Sequence, residues 1–123
     1  MTPFGAKLRE MRAAKGIALK AMAHEIGVSP AYLSALEHGH RGKPTWYLVQ
    51  KIVSFFNVIW DEAEELERLA AISNPRVTLH TAGLDPAVTE VANILEKKIK
   101  SLTEIEARTI LDILAKVDDR SSA

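Results

Sequence analysis

Glycine or proline interrupts the first half of this chain at short, regular intervals, at Gly16, Gly27, Pro30, Gly39, Gly42 and Pro44. No regular element between such breaks can exceed a few turns, because glycine favours helix stops and proline cannot continue a helix. The segments between them carry apolar residues at three- and four-residue steps, the period of a half-buried helix. Phe4, Leu8 and Met11 mark a first helix closed by Lys15-Gly16. Leu19–Ile26 is a second, with Met22, Ala23 and Ile26 on one face, stopped by Gly27. Ser29-Pro30 then reads as an N-cap followed by proline at the first helical position, where a missing N–H costs nothing. The third helix runs from Pro30 to about Glu37, buries Leu33 and Leu36, and ends at Gly39.

Thr45–Asn57 carries Leu48, Val49, Ile52, Val53 and Phe56 as an inward stripe. Asp61 with Glu64 is the pattern of a capping box opening a fifth helix, with Ala63, Leu66, Leu69 and Ala70 inward as far as about Ile72. Trp46, Tyr47, Phe55, Phe56 and Trp60 are expected in the core and rim of this helical domain. Beyond Asn74-Pro75 the period changes. Arg76–Thr81 alternates polar and β-favouring residues and reads as a short strand ended by Gly83. A lone strand is unstable in water, so pairing with the same strand of a second subunit is the expectation. Asp85-Pro86 opens a sixth helix, and the Thr103/Glu106 capping box opens a seventh that carries Ile105, Ile110, Ile113, Leu114 and Val117. Asp118–Ala123 reads as a frayed end. The fold class is therefore all-α: a five-helix domain over 1–72, a linker with the short strand over 73–84, and a helical hairpin over 85–123.

The 123 residues carry 16 basic and 16 acidic side chains, but these are unevenly distributed. Residues 1–51 hold eight Lys and Arg against three Glu, whereas 52–70 hold Arg68 alone against Asp61, Glu62, Glu64, Glu65 and Glu67. An anionic partner for the first part only is the implication. Cysteine is absent, which removes disulfides, thiolate zinc sites and thiol nucleophiles. The longest apolar runs are too short to span a membrane, and charges within Met1–Glu10 argue against an export signal, so a cytoplasmic location is expected. His38-x-His40 lacks further ligands for a metal nearby in sequence, and no nucleophile–histidine–acid layout or phosphate-binding glycine loop is visible. Neither an enzyme nor a cofactor is expected.

The informative stretch is LKAMAHEIGVSPAYLSALEH, from Leu19 to His38. Two short helices with about three turn residues between them form a helix-turn-helix. With small Ala23 at the crossing, Gly27 in the turn, Ser29 as cap and Glu37-His38-Gly39 at the end, the chain resembles the lambda-repressor/Cro-like (XRE) family of transcriptional regulators over roughly residues 4–72. The resemblance implies that the third helix enters the major groove of double-stranded DNA, with Pro30, Ala31, Tyr32, Ser34 and Ala35 towards base edges. It also implies a scaffold ion pair between Arg12 and Glu37. Two departures stand out. The reading positions carry mostly methyl groups instead of glutamine or arginine, so DNA shape should contribute to recognition. Leu19 replaces a glutamine that the family often uses at the backbone, which shifts that work to Lys20 and the helix N-terminus.

Phosphate contacts are expected from Lys20, Ser29, His40, Arg41 and Lys43, the last three on a loop whose two glycines let it follow a DNA backbone closely. The C-terminal stripes need a partner, because a two-helix hairpin buries one face at most. A homodimer interface is the preferred use, through Val77, Leu79, Val88, Val91, Leu95, Ile99, Ile110, Ile113 and Leu114. The sequence thus reads as a dimeric, sequence-specific regulator, a repressor before an activator. The alternative is an antitoxin-like or adaptor module whose C-terminal helices bind a second protein.

Overall fold

The computed structural model describes residues 1–117, which contain helices and turns and no strand. Fraying at Asp118–Ala123 lies outside the described residues. The chain divides into two compact units, Met1–Val77 and a second from Thr78 onward.

The first unit holds α1 (Pro3–Lys15), α2 (Leu19–Ile26), α3 (Pro30–Glu37), α4 (Trp46–Phe56) and α5 (Asp61–Ala71). Most of their ends are closed by local chemistry. Thr2 Oγ1 accepts from Gly5 N at 3.0 Å, Ser29 Oγ from Tyr32 N at 3.0 Å and Thr45 Oγ1 from Leu48 N at 3.2 Å, each satisfying an otherwise orphaned donor. Gly16 and Gly27 stop α1 and α2 in the left-handed region, at φ 64° and 78°. Between them the five helices bury one continuous apolar cluster: Phe4 and Leu8 of α1, Met22, Ala23 and Ile26 of α2, Leu33 and Leu36 of α3, Leu48, Val49, Ile52 and Phe56 of α4, and Leu66 and Ala70 of α5.

Two long-range ties hold α1 in place. Ser73, just past α5, accepts a hydrogen bond from Phe4 N at 2.9 Å and donates to the Leu69 carbonyl, so one buried hydroxyl joins the end of α5 to the start of α1. At Gly5, α1 meets the end of α3 so closely that an added Cβ would overlap the Glu37 carbonyl. Glycine is required there by space.

Three expectations are corrected. Asp61 is the first residue of α5, not its cap. Trp60 occupies the cap position at φ 55° and makes no side-chain cap bond, and Asp61, Glu62 and Glu64 act only as negative charge in the first turn. Trp46, Tyr47 and Trp60 are not part of the core: they are 66%, 75% and 79% exposed, and only Phe56 of the five aromatics is buried. The strand at Arg76–Thr81 does not form. Arg76 N instead bonds Asn74 Oδ1 at 3.0 Å, and Thr81–Leu84 make a turn through Gly83 at φ 82°. Among the described residues no second strand offers a ladder, and an unpaired strand leaves its backbone groups to water.

The second unit consists of α6 (Pro86–Lys98), a 3-10 turn at Ile99–Ser101 and α7 (Glu104–Ala115). Asp85 Oδ1 caps α6 through Ala87 N at 2.8 Å. Thr103 and Glu106 form a reciprocal capping box on α7, and this bonding holds the Glu106 carboxyl below the usual carboxylate range. Neither helix has a buried residue. Ala92, Leu95, Leu102, Ala107 and Ile110 are half-buried, while Val88, Val91, Ile94, Ile99, Ile113 and Leu114 are exposed.

Candidate nucleic-acid interface

The site is built from the angle between α2 and α3. Val28 N donates to the Ala23 carbonyl at 3.0 Å across the Gly27 turn, and Ala23 is fully buried where the two helices cross. With Leu33, Leu36 and Glu37 directed inward, α3 leaves Pro30 and Ala31 exposed and Tyr32, Ser34 and Ala35 half-buried on its outer side. The helix is clamped from below. Glu37 is 1% exposed and receives Arg12 through both guanidinium ends, Nη2 to Oε1 at 3.0 Å and Nε to Oε2 at 3.3 Å. A charge this buried needs such a fork, and the pair fixes α3 against α1.

Around this face stand the candidate backbone contacts. Lys20 is exposed on the first turn of α2, whose cap residue Ala18 makes no side-chain bond, so no cap side chain occupies the first amides of α2. Leu19 beside it packs against the core, which explains its apolar character. Ser29 accepts from Tyr32 N, leaving its own O–H free to donate. Lys43 is exposed before the buried Pro44.

The loop after α3 folds back along the helix. His38 Nδ1–H donates to the Ser34 carbonyl at 2.9 Å, a bond that places the ring proton on Nδ1, and His40 N donates to the Ala35 carbonyl at 2.8 Å. Gly39 makes the reversal possible at φ 80°. The His38 and His40 rings stack at 6.4 Å, and the Arg41 guanidinium comes to lie 5.4 Å from the centre of the Tyr32 ring. The structure thus brings Arg41 against α3, whereas Lys20 sits on α2 and Lys43 further along the same loop. Among the described residues no three metal-ligating side chains converge, and no helix is long and apolar enough to cross a membrane.

Sequence reasoning overlooked Tyr47 and Lys51. Both line a shallow groove with Val28, Ser29, Tyr32, Thr45 and Leu48, which runs from the start of α3 onto α4. Their four-residue spacing on one face of α4 was the available signal. Trp46 packs edge-on against Tyr47, with ring centres 5.3 Å apart.

A capped, buried-pair-clamped second helix set across a glycine turn defines a class, the helix-turn-helix proteins. Residues 8–62 match the family described as helix-turn-helix, and the N-terminal unit is a helix-turn-helix DNA-binding domain of the lambda-repressor/Cro-like kind. Over 61 residues the chain is 34% identical to a Bacillus subtilis (strain 168) protein named uncharacterized HTH-type transcriptional regulator RghRB. That match takes in 50% of this chain and 44% of the relative, so the shared part is less than half of that protein. No solved structure matches the chain.

Proposed function

We propose that this protein is a sequence-specific transcriptional regulator that binds DNA as a homodimer and represses by occupying its site. The observation that carries the reading is α3, capped by Ser29, clamped by Arg12–Glu37, and bordered by Lys20 and Lys43 with no acidic side chain among its outward residues. Inserted in the major groove, Ala31 and Ala35 meet thymine methyls, and Ser34 bonds a base edge. Lys20 with the open α2 amides, the Ser29 hydroxyl, His40 and Lys43 meet phosphates. Arg41, on the same loop, is turned back onto α3. Repression requires occupancy alone, and the acidic α5 offers no obvious match to the DNA-facing side.

The dimer rests on the second unit. Its helices bury nothing of their own, and Val88, Val91, Ile99, Ile113 and Leu114 stay exposed at helical spacing. Two such surfaces covering each other would join two copies of α3 in one assembly, and dimeric readers of this kind bind half-sites about 34 Å apart. A second reading, in which α6 and α7 grip a different protein, rests on the same exposed stripes. Selection from random duplexes at two salt concentrations separates the two. An inverted repeat with half-sites one helical turn apart supports the dimeric regulator. Weak, salt-sensitive binding without enrichment overturns it in favour of the protein-binding module.

A further inference from the structure

We propose that Arg41, stacked on Tyr32, reads a guanine in the major groove and supplies the base discrimination that α3 itself lacks. This inference rests on the DNA-regulator reading above. The outward side of α3 consists of Pro30, Ala31, Tyr32, Ser34 and Ala35, none of which can form the two-pronged hydrogen bonds that single out one base pair. Arginine can, because its planar fork of donors matches guanine O6 and N7.

Chain order alone would put Arg41 beyond the C-terminal end of α3, at the rim of the groove. The reversal at Gly39 and the His40 N to Ala35 carbonyl bond bring it back instead, so its guanidinium lies over the ring of the third residue of α3. Tyr32 is a firm platform: its amide is held by Ser29 Oγ and its ring packs partly against the core. Cation–π contact with the ring draws on the guanidinium's charge and uses none of its N–H donors for a hydrogen bond. Among the described residues Arg41 makes no hydrogen bond or ion pair that would have to break before it met a base. Because the same fork also grips phosphate, base preference and not affinity tells the two roles apart.

The test uses the full chain and the duplex that it selects. Arg41→Lys keeps the charge and removes the fork. The expected result is a wild-type consensus with a guanine in each half-site, and a loss of about tenfold or more in preference for that guanine in Arg41→Lys. The salt dependence of binding should be nearly unchanged, because the cation remains. Tyr32→Phe should retain the guanine preference and Tyr32→Leu should weaken it at the same position. A wild-type consensus that Arg41→Lys selects with equal discrimination, or one with no G·C pair at a common half-site position, overturns the inference and leaves the regulator standing. Failure of the wild type to enrich any sequence overturns both.

Discussion

Three residues at the junction of α1 and α3 show how much of α3's position depends on single contacts. Gly5 has no side chain because the Glu37 carbonyl occupies that space. Gly5→Ala should therefore force the two helices apart and lower stability by about 1–3 kcal/mol, an overpacking cost readable as a shift in urea midpoint. Arg12 and Glu37 raise a different issue. Removing the cation strands a carboxylate that is 1% exposed, so Arg12→Ala should cost about 3–5 kcal/mol. The double variant Arg12→Met with Glu37→Leu should recover much of that loss in the same urea titration, because an apolar pair leaves no unpaired charge. Arg12 and Glu37 were legible in the sequence through a family resemblance. Gly5 was not, since nothing within ten residues of it reveals which backbone it will touch.

Individual helices carry their own start and stop signals, and here the sequence was most informative. Ser29, Gly27, Gly16, Asp85 and the Thr103/Glu106 box all act through bonds spanning two to five residues, so their chemistry is readable along the chain. The box makes α7 sensitive to acid. The Glu106 carboxyl is held below its ordinary value by the Thr103 amide and hydroxyl, so its support of α7 is present above the ordinary carboxylate range. That support is lost as pH falls through the lowered value. Far-UV circular dichroism should show helix loss in this acid range, and Glu106→Gln, which keeps the box geometry but cannot ionise, should flatten the part of the transition that belongs to α7. Asp61 failed as a cap for a reason at the same scale: Trp60, at φ 55° and ψ −123°, turns the chain into α5 one residue earlier than a capping aspartate would allow.

At the scale of the whole molecule the two units contrast in what they bury. Met1–Val77 has a continuous core drawn from five helices, whereas α6 and α7 have none. The first unit alone should remain folded and monomeric. In the full chain, Val91→Glu with Leu114→Glu should convert a dimer to monomers in sedimentation velocity, because each places a charge in an apolar contact. The same variant should weaken binding to a two-half-site duplex far more than to a single half-site, as expected when effective concentration is lost. Unchanged sedimentation would remove the homodimer through these helices.

Helix boundaries, the glycine turn, the buried face of α3 and the segregation of charge were determined by the sequence itself, because each follows from periodicity, capping or composition over a few residues. Tertiary structure alone decided the rest. Trp46, Tyr47 and Trp60 are apolar enough for a core, yet they lie outside the cluster that the five helices bury. Arg76–Thr81 has strand-like alternation, yet a strand depends on a partner that local sequence does not supply. Arg41 follows α3 in sequence but lies against its third residue, because a left-handed glycine and one backbone hydrogen bond reverse the chain between them. Local signals have a range of about one helical turn, and proximity between distant segments is settled only when the whole chain competes for the same volume.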